Sequence, residues 1–247
     1  TKGSPRPVFK AANDLTMETV AQVASELNEC AKRGLGLIAI GGDYAMYLAK
    51  SVAAMMATPG ITNLNNANKS GLIKVFCIPT NPGTGSELIS EVILTGAEKP
   101  VNLHICRAAG LAPDWTVYDT QLIAITPGNL VLEKAAAGLC QAIEALVAVG
   151  SSEVTEALAI SAAKNLGLIQ NRFDGGCSYD RELLCRVTNG TMLAALARQN
   201  AAHGAAQGLA PAARVKTRAR TRARTKAKAK AGKEADTQRW QPRYCHW

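Results

Sequence analysis

Two glycine-containing turns are the places where this sequence could do nucleotide chemistry. In the first, an apolar run from Leu35 ends in Gly41 and Gly42, and a helical pattern from Tyr44 to Ala57 follows at once. A buried parallel strand that leads through a glycine turn into a helix is half of a nucleotide-binding unit. Glycines let the backbone approach a pyrophosphate, which the free N–H groups of the helix N-terminus then stabilise. This pattern predicts a dinucleotide-binding turn.

Asp43 follows the two glycines and opposes that prediction. A carboxylate at a helix N-terminus is favourable for the helix dipole, but it repels a phosphate that needs the same N–H groups. We therefore interpret Asp43 as an N-cap that closes an empty anion site.

The second turn follows the next predicted strand, Leu72 to Pro79, and reads TNPGTGSE. A lone G-T-G-S is a weak signal, but its place after a buried strand strengthens the nucleotide interpretation. The alternative is structural, because Gly83 and Gly85 supply turn geometry and close packing whether or not a ligand binds.

Metal and thiol chemistry have few candidate donors. The histidines are His104, His203 and His246, and each is expected to be a surface or packed residue rather than a ligand. The cysteines lie in apolar contexts without a C-x-x-C pair, at positions 30, 77, 106, 140, 177, 185 and 245. This pattern favours reduced, mostly buried thiols over a disulfide framework or a zinc site.

The net charge of +9 belongs to the C-terminal tail, residues 211–247. This tail holds 12 of the 28 Lys and Arg residues and only 2 of the 19 acidic ones. From Arg214 to Lys230 a basic residue stands at every second position, so the segment has no apolar face and is predicted to be a disordered cationic arm. In an extended conformation its basic side chains share one side, which suits a phosphate backbone.

Aromatic residues among arginines near the C-terminus can stack on unpaired bases. RNA is therefore the first predicted partner of the tail, with an acidic protein surface and anionic lipid as alternatives. DNA specificity is not expected. The residues predicted to contact RNA or another anionic partner are Arg214, Lys216, Arg218, Arg220, Arg222, Arg224, Lys226, Lys228, Lys230, Trp240 and Tyr244.

The elements that position these groups change character near Pro127. Before it, apolar runs alternate with helical patterns, which predicts an α/β fold; after it, the chain is almost wholly helical in pattern. The helix predicted from Pro127 to Val147 has apolar residues at spacings of three and four, among them Leu139, Ile143 and Val147, and this pattern predicts that they form one buried face. We predict three parts: 1–126 (α/β), 127–210 (helical) and 211–247 (tail). No apolar run approaches the length of a membrane span, so a soluble or peripheral protein is expected.

Several segments resemble the iron-containing (group III) alcohol dehydrogenases. The first turn is similar to the family's G-G-G-S-x-x-D-x-A-K, the second to T-T-x-G-T-G-S-E, and the helix from Pro127 to Glu144 to P-x-x-L-x-x-x-x-G-x-D-A-x-x-H-A-I-E. A later segment, aligned on Asn200, is similar to S-N-x-G-x-x-x-x-H-x-x-A-H and puts Gln207 in the column of a metal-binding His. The resemblance covers roughly residues 9–213, without the family's first strand and helix or the second half of its helical domain. It implies a Rossmann-like parallel sheet followed by a dehydroquinate synthase-like helical part.

The resemblance also assigns site residues. Cofactor-binding positions, taken as vestigial, are Gly41, Gly42, Thr80, Gly83, Thr84, Gly85 and Ser86. The family's metal-ligand columns hold Ala137, Gln141 and Gln207, which lack the donors that iron or zinc needs, so no metal site is expected. No catalytic residue is assigned, and no cofactor is expected, with residual NAD(P) binding as an open alternative.

These substitutions predict a catalytically inactive relative that serves as a structural subunit. A ribonucleoprotein such as a mitochondrial ribosome is the first choice of assembly, because of the tail, and a respiratory or ATP synthase complex is the second. Its predicted location is the mitochondrial matrix or another organelle interior, and otherwise the cytoplasm. The alternative from another class is an active NAD(P)-dependent, metal-dependent alcohol dehydrogenase completed by another chain.

Overall fold

A computed structural model describes residues 15–31, 36–68, 73–96, 103–167 and 181–201. All of these described residues belong to one compact unit. The predicted tail contacts and Gln207 lie outside the described residues. The boundary between parts at residues 126 and 127 stays a prediction.

A parallel sheet with two helices opens the described chain. Helix α1 (Met17–Ala31) precedes strand β1 (Leu37–Gly41), helix α2 (Asp43–Ala57) and strand β2 (Val75–Pro79). Strand β2 is central, between β1 and the short β5 (Trp115–Thr116), and both pairings are parallel. Strands β3 (Glu91–Thr95) and β4 (Leu103–Arg107) form a separate antiparallel pair.

The helical part begins with the short α3 (Thr120–Ile123). It continues through α4 (Gly128–Val147), α5 (Glu153–Gly167) and α6 (Arg181–Ala201), which pack on one another. The predicted fold class, a Rossmann-like parallel sheet followed by a helical part, is confirmed.

The buried face of α4 differs from the face that the sequence pattern indicates. Ile143 and Val147, expected in the buried stripe, are 51% and 79% exposed. The buried positions are mainly small residues, including Ala135, Gly138 and Ala142, which meet α5 and α6. Small side chains let helices approach closely, so here size rather than hydrophobicity decides which side is buried.

The parallel sheet is covered on one face by α2. On its other face Ile38 and Ile40 are 61% and 59% exposed, and Phe76 stacks on Trp115 with ring centroids 6.5 Å apart. Parallel sheets are normally covered on both faces. Among the described residues, no helix has the length and apolar content that crossing a membrane requires.

Candidate cofactor site

The two glycine turns meet at the carboxyl edge of the parallel sheet. Gly41 pairs with Pro79 across β1 and β2, and the N–H of Thr80 donates to the Gly41 carbonyl at 3.0 Å. Gly41 has a φ of 147°, a backbone conformation that glycine adopts most readily. A Cβ on Gly42 would lie 3.0 Å from the side-chain amide nitrogen of Asn81, so a larger residue at position 42 would require that side chain to move.

The loop from Gly83 to Glu87 is closely packed on both sides. A Cβ on Gly83 would lie 2.8 Å from the Glu87 carboxylate. Gly85 has a φ of 82°, and a Cβ there would lie 1.9 Å from the Cβ of Ala195 on α6. The structural interpretation of these glycines therefore has direct support, because both are needed for packing.

The hydroxyl groups of this loop bind Asp43. Thr84 Oγ1 and Ser86 Oγ lie 2.9 and 3.0 Å from Asp43 Oδ1, and both donate to it. Asp43 is the first residue of α2, and the N-cap is Gly42 rather than Asp43 as predicted. The carboxylate still lies at the helix N-terminus, but hydroxyl groups from a different loop hold it.

Lys134 is the residue of this site that the sequence analysis missed. Its Nζ donates to Asp43 Oδ2 at 3.1 Å, and the two side chains are only 9% and 10% exposed. Lys134 belongs to α4, so this ion pair joins the helical part to the first glycine turn. The sequence offered one signal: Lys134 stands three residues after Val131 and four before Gly138, a spacing that puts it on the same side of the helix as these two buried residues.

Lys50 of α2 stabilises the loop from Gly83 to Glu87 and the residues that follow it. Its buried Nζ donates to the carbonyls of Ser86, Ile89 and Glu91. Burial lowers the pKa of Lys50 to about 8, against the opposing charges of nearby acidic groups. The same burial raises the pKa of the Cys77 thiol to about 12, which makes that thiol a packing residue rather than a nucleophile.

Glu87 ends the loop in an enclosed environment. It is 2% exposed; Tyr118 Oη donates to its Oε1 at 2.8 Å, and Ser86 Oγ lies 3.4 Å from its Oε2. Burial is the main cause of the raised pKa of Glu87. Burial, together with the Glu87 carboxylate, also raises the pKa of the Tyr118 hydroxyl.

The described residues do not fit the catalytic metal of the resembled family. They contain no group of three or more His, Cys, Asp or Glu side chains placed to hold an ion. Ala137 has no donor atom, and Gln141 offers only a neutral amide, whose Oε1 is buried without a hydrogen-bond partner among them. His104 is exposed on β4.

Comparison with known proteins identifies relatives of the part of the chain that carries the two glycine turns. Residues 6–120 match the family described as iron-containing alcohol dehydrogenase. The predicted resemblance to the iron-containing alcohol dehydrogenases is therefore confirmed over the α/β part of this chain. The NAD-dependent methanol dehydrogenase of Bacillus methanolicus is 32% identical over 52% of this chain and 34% of its own length. Long-chain-alcohol dehydrogenase 1 of Geobacillus thermodenitrificans is 30% identical over 67% of this chain and 42% of its own.

A solved structure shows the same fold. The crystal structure of an iron-containing alcohol dehydrogenase superposes with a TM-score of 0.68, at 22% identity, over 78% of this chain and 52% of that one. The chain thus spans less than half the length of the two curated relatives and about half of this structure.

The prediction that this chain is not an enzyme is wrong in the light of these matches. The matched family and both relatives are described as alcohol dehydrogenases, and these matches give no support to a ribosomal or respiratory-complex subunit. The prediction gave decisive weight to Ala137 and Gln141, although the chain aligns with only part of each relative. Substituted positions in one part of a fold do not report on groups supplied by the rest.

Proposed function

We propose that this chain is the cofactor-binding portion of an NAD(P)-dependent alcohol dehydrogenase. The observation that carries the proposal is the meeting of two glycine turns at the carboxyl edge of a parallel sheet. There Gly42 approaches Asn81, and the N–H of Thr80 bonds to Gly41. Ligands of open α/β sheets bind at this edge.

The chain's own residues would bind and orient the dinucleotide. Gly41 and Gly42 have no side chains at the N-terminus of α2, where the phosphates would bind. Thr84 and Ser86, which donate to Asp43 in this structure, would offer hydroxyl donors. Lys50 holds the loop rigid from below, which keeps those donors in place. When bound, the nicotinamide supplies the hydride acceptor or donor.

The catalytic metal needs ligands from beyond the described residues. Ala137 and Gln141 do not supply them, so the active enzyme would take them from residues of this chain outside the described ranges, from a further part of the protein or from a second chain. Polarisation of the alcohol oxygen is therefore not assigned to any residue here.

A binding and activity measurement tests this proposal. Protein purified under native conditions with its associated polypeptides should bind NADH or NADPH, detected by nucleotide fluorescence, and should reduce NAD(P) when a primary alcohol is added. Gly42→Val would insert a branched side chain towards Asn81 and should weaken nucleotide binding. Gly167→Ala, where an added Cβ meets nothing within 4 Å, is the matched control. If the intact assembly shows no nucleotide binding and no alcohol-dependent reduction of NAD(P), the proposal is contradicted.

A further inference from the structure

The Asp43–Lys134 pair lies where the proposed cofactor would place its phosphates. The donors that converge on the Asp43 carboxylate include two hydroxyls from the loop and the Lys134 ammonium. Hydroxyl groups and an ammonium at a helix N-terminus are also the donors that a phosphate accepts from. The Asp43 carboxylate thus occupies a set of donors that could bind another anion.

The carboxylate and a phosphate cannot share these donors. Two anions at hydrogen-bond distance from one another repel strongly, and Asp43 is only 10% exposed, so water screens little of that repulsion. Lys134, 9% exposed, in turn needs a counter-ion, because a buried ammonium without one is costly. If a phosphate replaces the Asp43 carboxylate at these donors, the two anions never share the site, and Lys134 always has a counter-ion.

We propose that Lys134 is a phosphate-binding residue and that Asp43 blocks it in the resting chain, leaving when a dinucleotide phosphate takes its place. This inference rests on the proposed function for the identity of the ligand. It explains why a carboxylate stands beside a glycine turn of the dinucleotide-binding type: the Asp43 side chain occupies the phosphate site, and the site itself is still present. The exchange also makes cofactor affinity depend on a residue of the helical part.

The test uses the full chain and inorganic pyrophosphate and NADH as probes. Asp43→Gly removes the blocking carboxylate and leaves Lys134 without it. We expect pyrophosphate to raise the melting temperature of this variant by several degrees while leaving that of the wild type nearly unchanged. NADH should bind Asp43→Gly at least tenfold more tightly than wild type. Adding Lys134→Met to Asp43→Gly should abolish both effects.

Two further variants keep the test decisive. Asp43→Asn keeps the side-chain size and removes the charge, and it replaces Asp43→Gly if that variant does not fold. Glu133→Gln removes an exposed carboxylate next to Lys134 in the sequence and should leave pyrophosphate and NADH binding unchanged.

The outcomes separate this inference from the proposed function. Equal pyrophosphate effects on wild type and Asp43→Gly, or tight binding that survives Lys134→Met, would overturn the exchange. Lys134-dependent binding of pyrophosphate without NADH binding would support the anion site and contradict the dehydrogenase proposal. Tight NADH binding by wild type that Asp43→Gly does not change would leave the dehydrogenase proposal standing and overturn the exchange.

Discussion

At the residue scale, enclosure rather than residue type decides what the polar groups of this site do. Glu87, Lys50 and Asp43 are each held by partners from other elements, and none is simply solvated. Buried polar groups remain stable only when their hydrogen-bonding capacity is met. The turn after β2 is therefore a rigid structure before any ligand arrives.

Glu87 yields a prediction about pH. Its folded-state pKa is raised above the ordinary value of 4.5, mainly by burial. The resulting contribution to stability is fully present below 4.5 and is lost as the pH rises through the raised pKa. Glu87→Gln is neutral at every pH, so its free energy of unfolding should increase relative to wild type as the pH rises above 4.5. Urea unfolding across the acidic to mildly alkaline range measures this difference.

The control for that experiment is Glu182→Gln. Glu182 is 61% exposed and pairs with Arg186 one helical turn away, so its removal should give a small difference that changes little over the same pH range. A Glu87→Gln difference that is equally flat would show that the Glu87 carboxyl titrates as it does in the unfolded chain.

At the scale of elements, the loop after β2 is packed against α6 through a glycine. A Cβ on Gly85 would overlap Ala195, whereas Gly60, with a similar φ of 81°, has nothing within 4 Å of an added Cβ. Gly85→Ala should therefore lower the free energy of unfolding by about 1 to 3 kcal/mol more than Gly60→Ala. Chemical denaturation of both variants checks this, and equal losses would mean that the positive φ alone is costly.

The helices α4, α5 and α6 depend on alanine at their contacts. Ala142, Ala159 and Ala194 are fully buried in one cluster. Ala142→Leu should destabilise the protein by about 1 to 3 kcal/mol, because the close approach of the helices leaves no space for the larger side chain. Ala136→Leu, at an exposed position of the same helix, should be nearly neutral. Thermal and urea unfolding distinguish the two, and similar losses would contradict tight packing.

At the scale of the whole molecule, the chain combines a nearly neutral body with a basic tail. The described residues account for the fold and the candidate site, while the RNA contact predicted from Arg214 to Lys230 remains a prediction. The proposed dehydrogenase function does not depend on it. The proposed cofactor binding and the predicted RNA contact use different parts of the chain and can be tested separately.

The tail prediction concerns single-stranded RNA. Nine alternating basic residues should give binding to the full chain that weakens with salt, with a log–log slope of about −6 if all contact phosphates. Deletion of residues 214–247 should abolish the binding. Fluorescence anisotropy at a series of salt concentrations measures both effects. Replacing Trp240 and Tyr244 by alanine should weaken binding and keep the slope, since stacking adds affinity without releasing counter-ions.

Other results would redirect that assignment. RNA binding that survives the deletion would place the contact elsewhere on the protein. Binding to anionic vesicles or to an acidic protein, in the absence of RNA binding, would select one of the alternative partners.

Sequence pattern predicted much of this fold because its signals are local. The apolar runs ending at Gly42 and Pro79 became β1 and β2, and the periodic segment after Pro127 became α4, with boundaries shifted by a few residues. Strand and helix periodicity is a property of neighbouring residues. The buried face of α4 was not predictable in this way, because small residues give little signal in a hydrophobic pattern.

By itself, the sequence determined the order of strands and helices, the two glycine turns and the residue types, Ala137 and Gln141, that stand in the resembled family's metal-ligand columns. Only the tertiary structure decided that Asp43 is held by Thr84 and Ser86 and paired with Lys134, 91 positions along the chain. The physical reason is that such a pair depends on how α4 packs beside the N-terminus of α2. Packing sums many weak contacts across the chain, and no local spacing of residues encodes it.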